Sequence, residues 1–204
     1  MKGALGTPPG VERAPRYNQS DCCAAEIAMN ARRVSLSAVS IALVFVLIRS
    51  IQVPIVATEG FTHPGAVAEI FVSLAFGPSI GLVAAAGGAA LADLTSGQFA
   101  KFAPLTLLAH GTLGFLAGYL GRKKQWPNML AGWLVGGIAL VGIYFVGESL
   151  VANLYGGYAA ALIELPFNLV QVGLGIFGIF LYRVTRAAYP RIDQLTEHPR
   201  FEEV

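Results

Sequence analysis

Glu164, Asn168 and Gln171 stand in the last apolar stretch at spacing i, i+4, i+7, which puts them on one side of a helix. The same spacing pairs Tyr144 with Glu148, Thr106 with His110, and Glu69 with Ser73. Ionisable groups inside apolar runs are costly and normally face a bundle interior or water. Carboxylates and amides there can pair the ring nitrogens of a small polar aromatic molecule, and Tyr or Phe faces can stack on it. Glu59, Glu69, Asp93, Glu148 and Glu164 share one half of the apolar region with only Arg49 and Lys101. Five acids against two bases favour a ligand carrying a cationic or amino group over an anion. Asn153 and Tyr155 add an amide and an aromatic ring near the same mouth. The competing reading is that these groups cap helices or bond across a bundle. It weighs at least equally for Glu69 and His110, and Asp93 reads equally well as a helix-end residue.

Other chemistries find little support. His63, His110 and His198 have no ligand spacing to one another, and neither an HExxH motif nor a Cys/His cluster is present, so no metal is expected. No cofactor is expected either. Gly173, Gly175 and Gly178 match GxGxxG, with Asp193 twenty residues after Gly173, but they sit inside an apolar helix without the preceding strand a dinucleotide fingerprint needs. No GxxxxGK[ST] loop occurs, so ATP hydrolysis by the chain alone is not expected. The cysteines Cys22 and Cys23 are adjacent and imply no disulfide framework.

The elements that must position these residues follow from composition. Of 204 residues, 55% are hydrophobic and 13% charged, with a mean hydropathy of +0.62. Soluble domains carry about 25% charged residues. A soluble enzyme, a nucleic-acid binder and a disordered chain are thereby excluded in favour of an integral membrane protein. Apolar segments are expected over 34–53, 65–76, 79–94, 102–120, 128–151 and 158–182. The expected fold is all-α, a six-transmembrane-helix bundle, with the short second and third segments able to form a hairpin packed against protein. Residues 1–31 read as a disordered tail, 32–186 as the membrane domain and 187–204 as a second tail. Met29, followed by Asn-Ala-Arg-Arg, is a candidate true start. With six spans, Arg32, Arg33, Arg122, Lys123, Lys124, Arg183, Arg186 and Arg191 fall on one side and Arg49 and Lys101 on the other. The positive-inside rule then places both termini in the cytoplasm. Small residues four apart recur at Ala38/Ala42, Gly81/Ala85, Ala84/Gly88, Gly114/Gly118 and Gly132/Gly136, which lets helix backbones approach closely. Most read as internal packing. Ala38/Ala42 can instead dock a separate membrane subunit.

The chain resembles the substrate-binding S components of energy-coupling factor (ECF) vitamin transporters over about residues 29–186. The resemblance is carried by the basic start at Met29, the Ala38/Ala42 pair and the loop Gly60-Phe-Thr-His-Pro-Gly65. It continues through the Phe76-Gly-Pro78 break, the run Gly87 to Asp93, Phe102-Ala-Pro-Leu-Thr106, His110-Gly111 and Leu165-Pro-Phe-Asn168-Leu-Val-Gln171. It implies a vitamin-capturing bundle in the cell membrane, open to the outer side. Its partners would be a transmembrane coupling subunit, met by Ala38 and Ala42, and two cytoplasmic ATPases. Glu59, Phe61, His63, Asp93, His110, Glu148, Asn153, Tyr155, Glu164, Asn168 and Gln171 become the expected ligand contacts. A hydroxymethylpyrimidine- or thiamine-like heterocycle is the expected ligand, with riboflavin or another vitamin as the alternative. Outside this resemblance stand a proton-coupled carrier and a membrane enzyme using Asp93, His110 and Glu164.

Overall fold

A computed structural model describes residues 19–195, with side chains from residue 30 onward. The first helix, α1 (Gln19–Ser50), begins well before the expected first span and takes in residues 19–31 of the expected tail. Residues 1–18 and 196–204, His198 among them, and the side chains of Cys22 and Cys23 lie outside the described residues. After α1 the chain does not form a plain loop. Val53–Ile55 (β1) and Gly60–Thr62 (β2) pair as an antiparallel hairpin, with Pro54 opposite Phe61.

Two short apolar helices follow, α2 (Gly65–Phe76) and α3 (Pro78–Leu94). Gly77 joins them at φ +86°, a conformation that disfavours any side chain, and Pro78 opens α3 at the position where its missing N–H costs nothing. A 3₁₀ turn (Gly97–Phe102) leads into α4 (Ala103–Leu120). Next come α5 (Trp126–Leu150), the single turn α6 (Ala152–Tyr155), α7 (Gly157–Leu174) and α8 (Ile176–Ala188). The expected sixth span is thus two helices meeting at Gly175, where Val172 O accepts the Gly175 N–H at 2.9 Å and the Trp133 indole N–H at 2.7 Å.

Among the described residues, four helical stretches are long and apolar enough to cross a membrane: 30–50, 97–123, 126–150 and 157–188. At 12 and 17 residues, α2 and α3 fall short of the roughly 20 that a span needs. Most of α2 is buried, and it packs on α1, α3, α4, α7 and α8, so it is a central pillar shielded by protein. The expected second tail is also partly ordered. A 3₁₀ segment (Pro190–Leu195) buries Ile192, and Asp193 accepts the Tyr182 hydroxyl at 2.7 Å and pairs with Arg186 at 2.9 Å.

The small-residue pairs within α3, α4 and α5 pack internally. A Cβ on Gly81 would lie 2.8 Å from the Gly114 carbonyl, and one on Gly114 would strike the Gly81 carbonyl and come 2.9 Å from Ala85 Cβ. Backbone therefore meets backbone where α3 crosses α4, as small residues allow in lipid. Gly114→Val should lower stability by about 3 kcal/mol, at the upper end of overpacking costs, because neither backbone can yield. A thermal melt in mild detergent checks this, and an unchanged midpoint would mean that the crossing is loose.

Candidate functional site

The hairpin, the 3₁₀ turn before α4, and α3, α4, α5 and α7 converge on one small polar cavity of about 20 Å³. Its wall contains Gly60, Phe61, His63, Asp93, Phe102, Thr106, Tyr144, Glu164, Asn168 and Gln171. The helical spacing of Glu164, Asn168 and Gln171 does what the sequence suggests, bringing all three to the cavity from α7. Phe61 and His63 enter from the hairpin and the residues after it. Their rings lie 5.3 Å apart, and Phe61 also packs on Phe99 at 4.4 Å.

The hairpin sits tightly over the site. Thr62 Oγ1 donates to the Phe167 carbonyl of α7 at 3.3 Å. Gly60 lies so close to the Glu164 carboxyl that any Cβ there would collide with Oε1. Glu59 does not enter the cavity. Its exposed side chain pairs with Lys101 at 2.8 Å, and that ammonium holds the Glu59 carboxyl below its usual range. Asn153 is exposed on α6, and the Tyr155 hydroxyl donates to the Lys101 carbonyl at 3.2 Å while its ring stacks on Phe102 at 5.1 Å. These three sequence-derived candidates shape the rim and do not line the cavity.

Behind the wall lies a buried polar layer. The Glu148 carboxyl faces that of Glu164, and both side chains are almost wholly buried. Asp93 Oδ2, both Glu148 oxygens and Glu164 Oε1 are buried with no hydrogen-bond partner among the described residues. Such an orphaned acceptor costs about 1–3 kcal/mol, more when charged, so the site is built to receive donors. Thr106 Oγ1 and Tyr144 Oη share a hydrogen bond at 2.7 Å.

His110 stands one layer back. Its Nδ1 is 2.8 Å from Glu69 Oε1 and its Nε2 is 3.3 Å from Gln171 Nε2. Both ring nitrogens are therefore engaged, which weakens the acid/base trio of Asp93, His110 and Glu164. His63 Nδ1 accepts the Gly65 N–H at 3.1 Å, and burial, with His110 nearby, holds this imidazole well below the usual histidine range. His63 is thus neutral, with its ring 5.5 Å from that of His110.

Gly60, Phe102, Thr106 and Tyr144 also line the cavity, outside the set of expected ligand contacts. The sequence does carry signals for them: Gly60 and Phe102 adjoin Phe61 and Lys101, Tyr144 shares a helix side with Glu148, and Thr106 shares one with His110. No group of three or more His, Cys, Asp or Glu residues suited to hold a metal occurs among the described residues.

The profile of the family described as ECF-type riboflavin transporter, S component, matches residues 28–186. The chain belongs to the ECF S-component family. This S component is 35% identical over 150 residues to the thiamine precursor transporter HmpT of Lactococcus lactis, covering 72% of this chain and 82% of that protein. It is 31% identical over 127 residues to an uncharacterized protein of Pyrococcus woesei, covering 62% of this chain and 82% of the other. In fold it resembles a solved S component of a bacterial ECF transporter, at a TM-score of 0.60 and 20% identity, over 80% of this chain and 98% of that one. The S component is accordingly a helical membrane transport protein, and the cavity under its hairpin is its candidate ligand site.

Proposed function

We propose that this S component captures a single-ring, amino-bearing nitrogen heterocycle of the hydroxymethylpyrimidine type, a thiamine precursor, from the outer side of the plasma membrane. It then passes the ligand inward in a complex with a transmembrane coupling subunit and two cytoplasmic ATPases. The observation that carries the ligand reading is the set of buried carboxyl oxygens on Asp93, Glu148 and Glu164 with no hydrogen-bond partner among the described residues. An aminopyrimidine supplies N–H groups to such acceptors, Asn168 and Gln171 offer amides to its ring edge, and Phe61, Phe102 and Tyr144 offer ring faces. The likeness to HmpT supports the same ligand class.

Riboflavin is the second reading, because the family description names it. At about 20 Å³ the cavity must widen for either ligand, so size does not choose between them. The buried carboxylates and the likeness to HmpT favour the aminopyrimidine. The orientation rests on the basic residues gathered at the end away from the hairpin, Arg122, Lys123, Lys124, Arg183 and Arg186 among them. The partner reading rests on Ala38 and Ala42, both exposed on α1.

Mass spectrometry of small molecules released from the purified full chain, followed by calorimetry with the identified compound, tests the ligand reading. A stoichiometric hydroxymethylpyrimidine-type compound is expected. Stoichiometric riboflavin, or a chain that binds nothing in a vitamin panel, would overturn it.

A further inference from the structure

A chain of three buried side chains from three helices ends at the cavity wall. Glu69 on α2 and His110 on α4 are fully buried, and Gln171 on α7 is nearly so. A carboxylate only accepts, so the 2.8 Å contact from Glu69 Oε1 to His110 Nδ1 puts a proton on Nδ1. His110 Nε2 faces the amide nitrogen of Gln171 at 3.3 Å. With the Nδ1 proton given to Glu69, the neutral ring has a bare Nε2 that accepts, and the Gln171 amide nitrogen is the donor that meets it. An imidazolium would set two donors against each other. The Gln171 amide is thereby oriented with its nitrogen toward His110, leaving its carbonyl oxygen for the cavity that Gln171 lines. His110 is further confined by the His63 ring at 5.5 Å and the Tyr144 ring at 6.0 Å, edge-on.

We propose that Glu69 is a positioning residue that sets the donor–acceptor preference of the cavity through His110, by fixing which end of Gln171 meets the ligand. The cavity then shows an acceptor at this edge, beside the acceptors of Asp93 and Glu164. It selects a ring whose substituent is an N–H donor over one of the same shape that can only accept. This rests on the nitrogen-heterocycle reading above and adds to it the rule by which close analogues are told apart.

The test compares 4-amino-5-hydroxymethyl-2-methylpyrimidine with its 4-methoxy counterpart, by calorimetry on the full chain in detergent. The chains are the natural one, Glu69→Gln, Gln171→Met and the double variant. The natural chain should favour the amino compound by about tenfold or more, since a misplaced buried acceptor finds no partner in the analogue. Glu69→Gln keeps the shape but accepts or donates toward Nδ1, so either tautomer is allowed and the preference should fall to about threefold or less. In the Gln171→Met background the same change should leave the ratio unmoved. An unchanged ratio in Glu69→Gln, or an equal shift in both backgrounds, would overturn the relay while leaving the ligand reading intact. Failure of both compounds to bind the natural chain would overturn the ligand reading and the relay with it. Nitrogen NMR of the His110 ring gives a reading that needs no variant. Protonated Nδ1 with bare Nε2 is expected, and either the opposite tautomer or the imidazolium would sink the proposal.

Discussion

Glu164→Gln should weaken ligand binding by about 10- to 100-fold without lowering the melting temperature. Glu164 reaches the cavity from α7, and its Oε1 is buried with no partner among the described residues. A hydrogen bond to a charged group contributes about 1.5–3 kcal/mol, and each 1.4 kcal/mol is tenfold in affinity. Glutamine keeps the volume but loses the charge, so a ligand N–H finds only a neutral acceptor. In the empty protein the change removes one of two buried carboxyls that face each other, Glu148 being the second. That repulsion and desolvation oppose folding, so stability should hold or rise. Calorimetry and a thermal melt on one preparation measure both quantities. Undiminished affinity would remove Glu164 from the site. A large drop in melting temperature would recast it as a structural residue.

Ala38→Leu and Ala42→Leu should each reduce copurification of the coupling subunit at least tenfold while leaving ligand affinity within about twofold. Both alanines are exposed and, with Ile41, Phe45, Leu91 and Thr95, line a shallow apolar groove between α1 and α3. Small residues on a lipid-facing helix let another helix approach to backbone distance, and a leucine at either position fills that space. The groove lies on the outer side of α3, whereas Asp93 on the same helix points inward to the cavity. The two functions should therefore separate cleanly. Affinity-tagged complexes, weighed by subunit ratio and assayed for ligand, give the answer. Normal yield from both variants would move the docking face elsewhere.

The sequence makes the helical, membrane-embedded character legible because long apolar runs have few other uses. The site is legible where helical periodicity governs it. Glu164, Asn168 and Gln171 are placed by spacing alone, and α7 delivers them together. Legibility ends where position depends on contact across the chain. Asn153 and Tyr155 read as mouth residues, but the single turn α6 directs one to the surface and commits the hydroxyl of the other to the Lys101 carbonyl. Glu59 reads as one more acid of the site, but Lys101, 42 residues away in sequence, claims it. His110 and Glu69 carry no local sign of their partnership, because α2 and α4 meet only in the folded bundle. Helix limits fare similarly. The break at Gly175 falls among Gly173, Gly175 and Gly178, and the Trp133 side chain of α5 packs against the turn there, a contact across the chain that no local pattern announces.

The shortness of α3 bears on how the protein sits in lipid. Its 17 residues reach only about 25 Å, against a hydrocarbon layer of about 30 Å, whereas the 25 residues of α5 reach about 37 Å. While α2 is hidden within the bundle, α3 turns Leu82, Val83 and Leu91 outward. Thinning of the bilayer on this flank and tilt of α5 are two ways to meet the mismatch, each at a fraction of a kcal/mol per ångström. The flank of the short helix is also the one that carries the Ala38/Ala42 groove. Where lipid thins to meet α3, a protein seated there would displace it, so relaxation of the bilayer itself would favour assembly, more strongly in thick membranes than in thin ones.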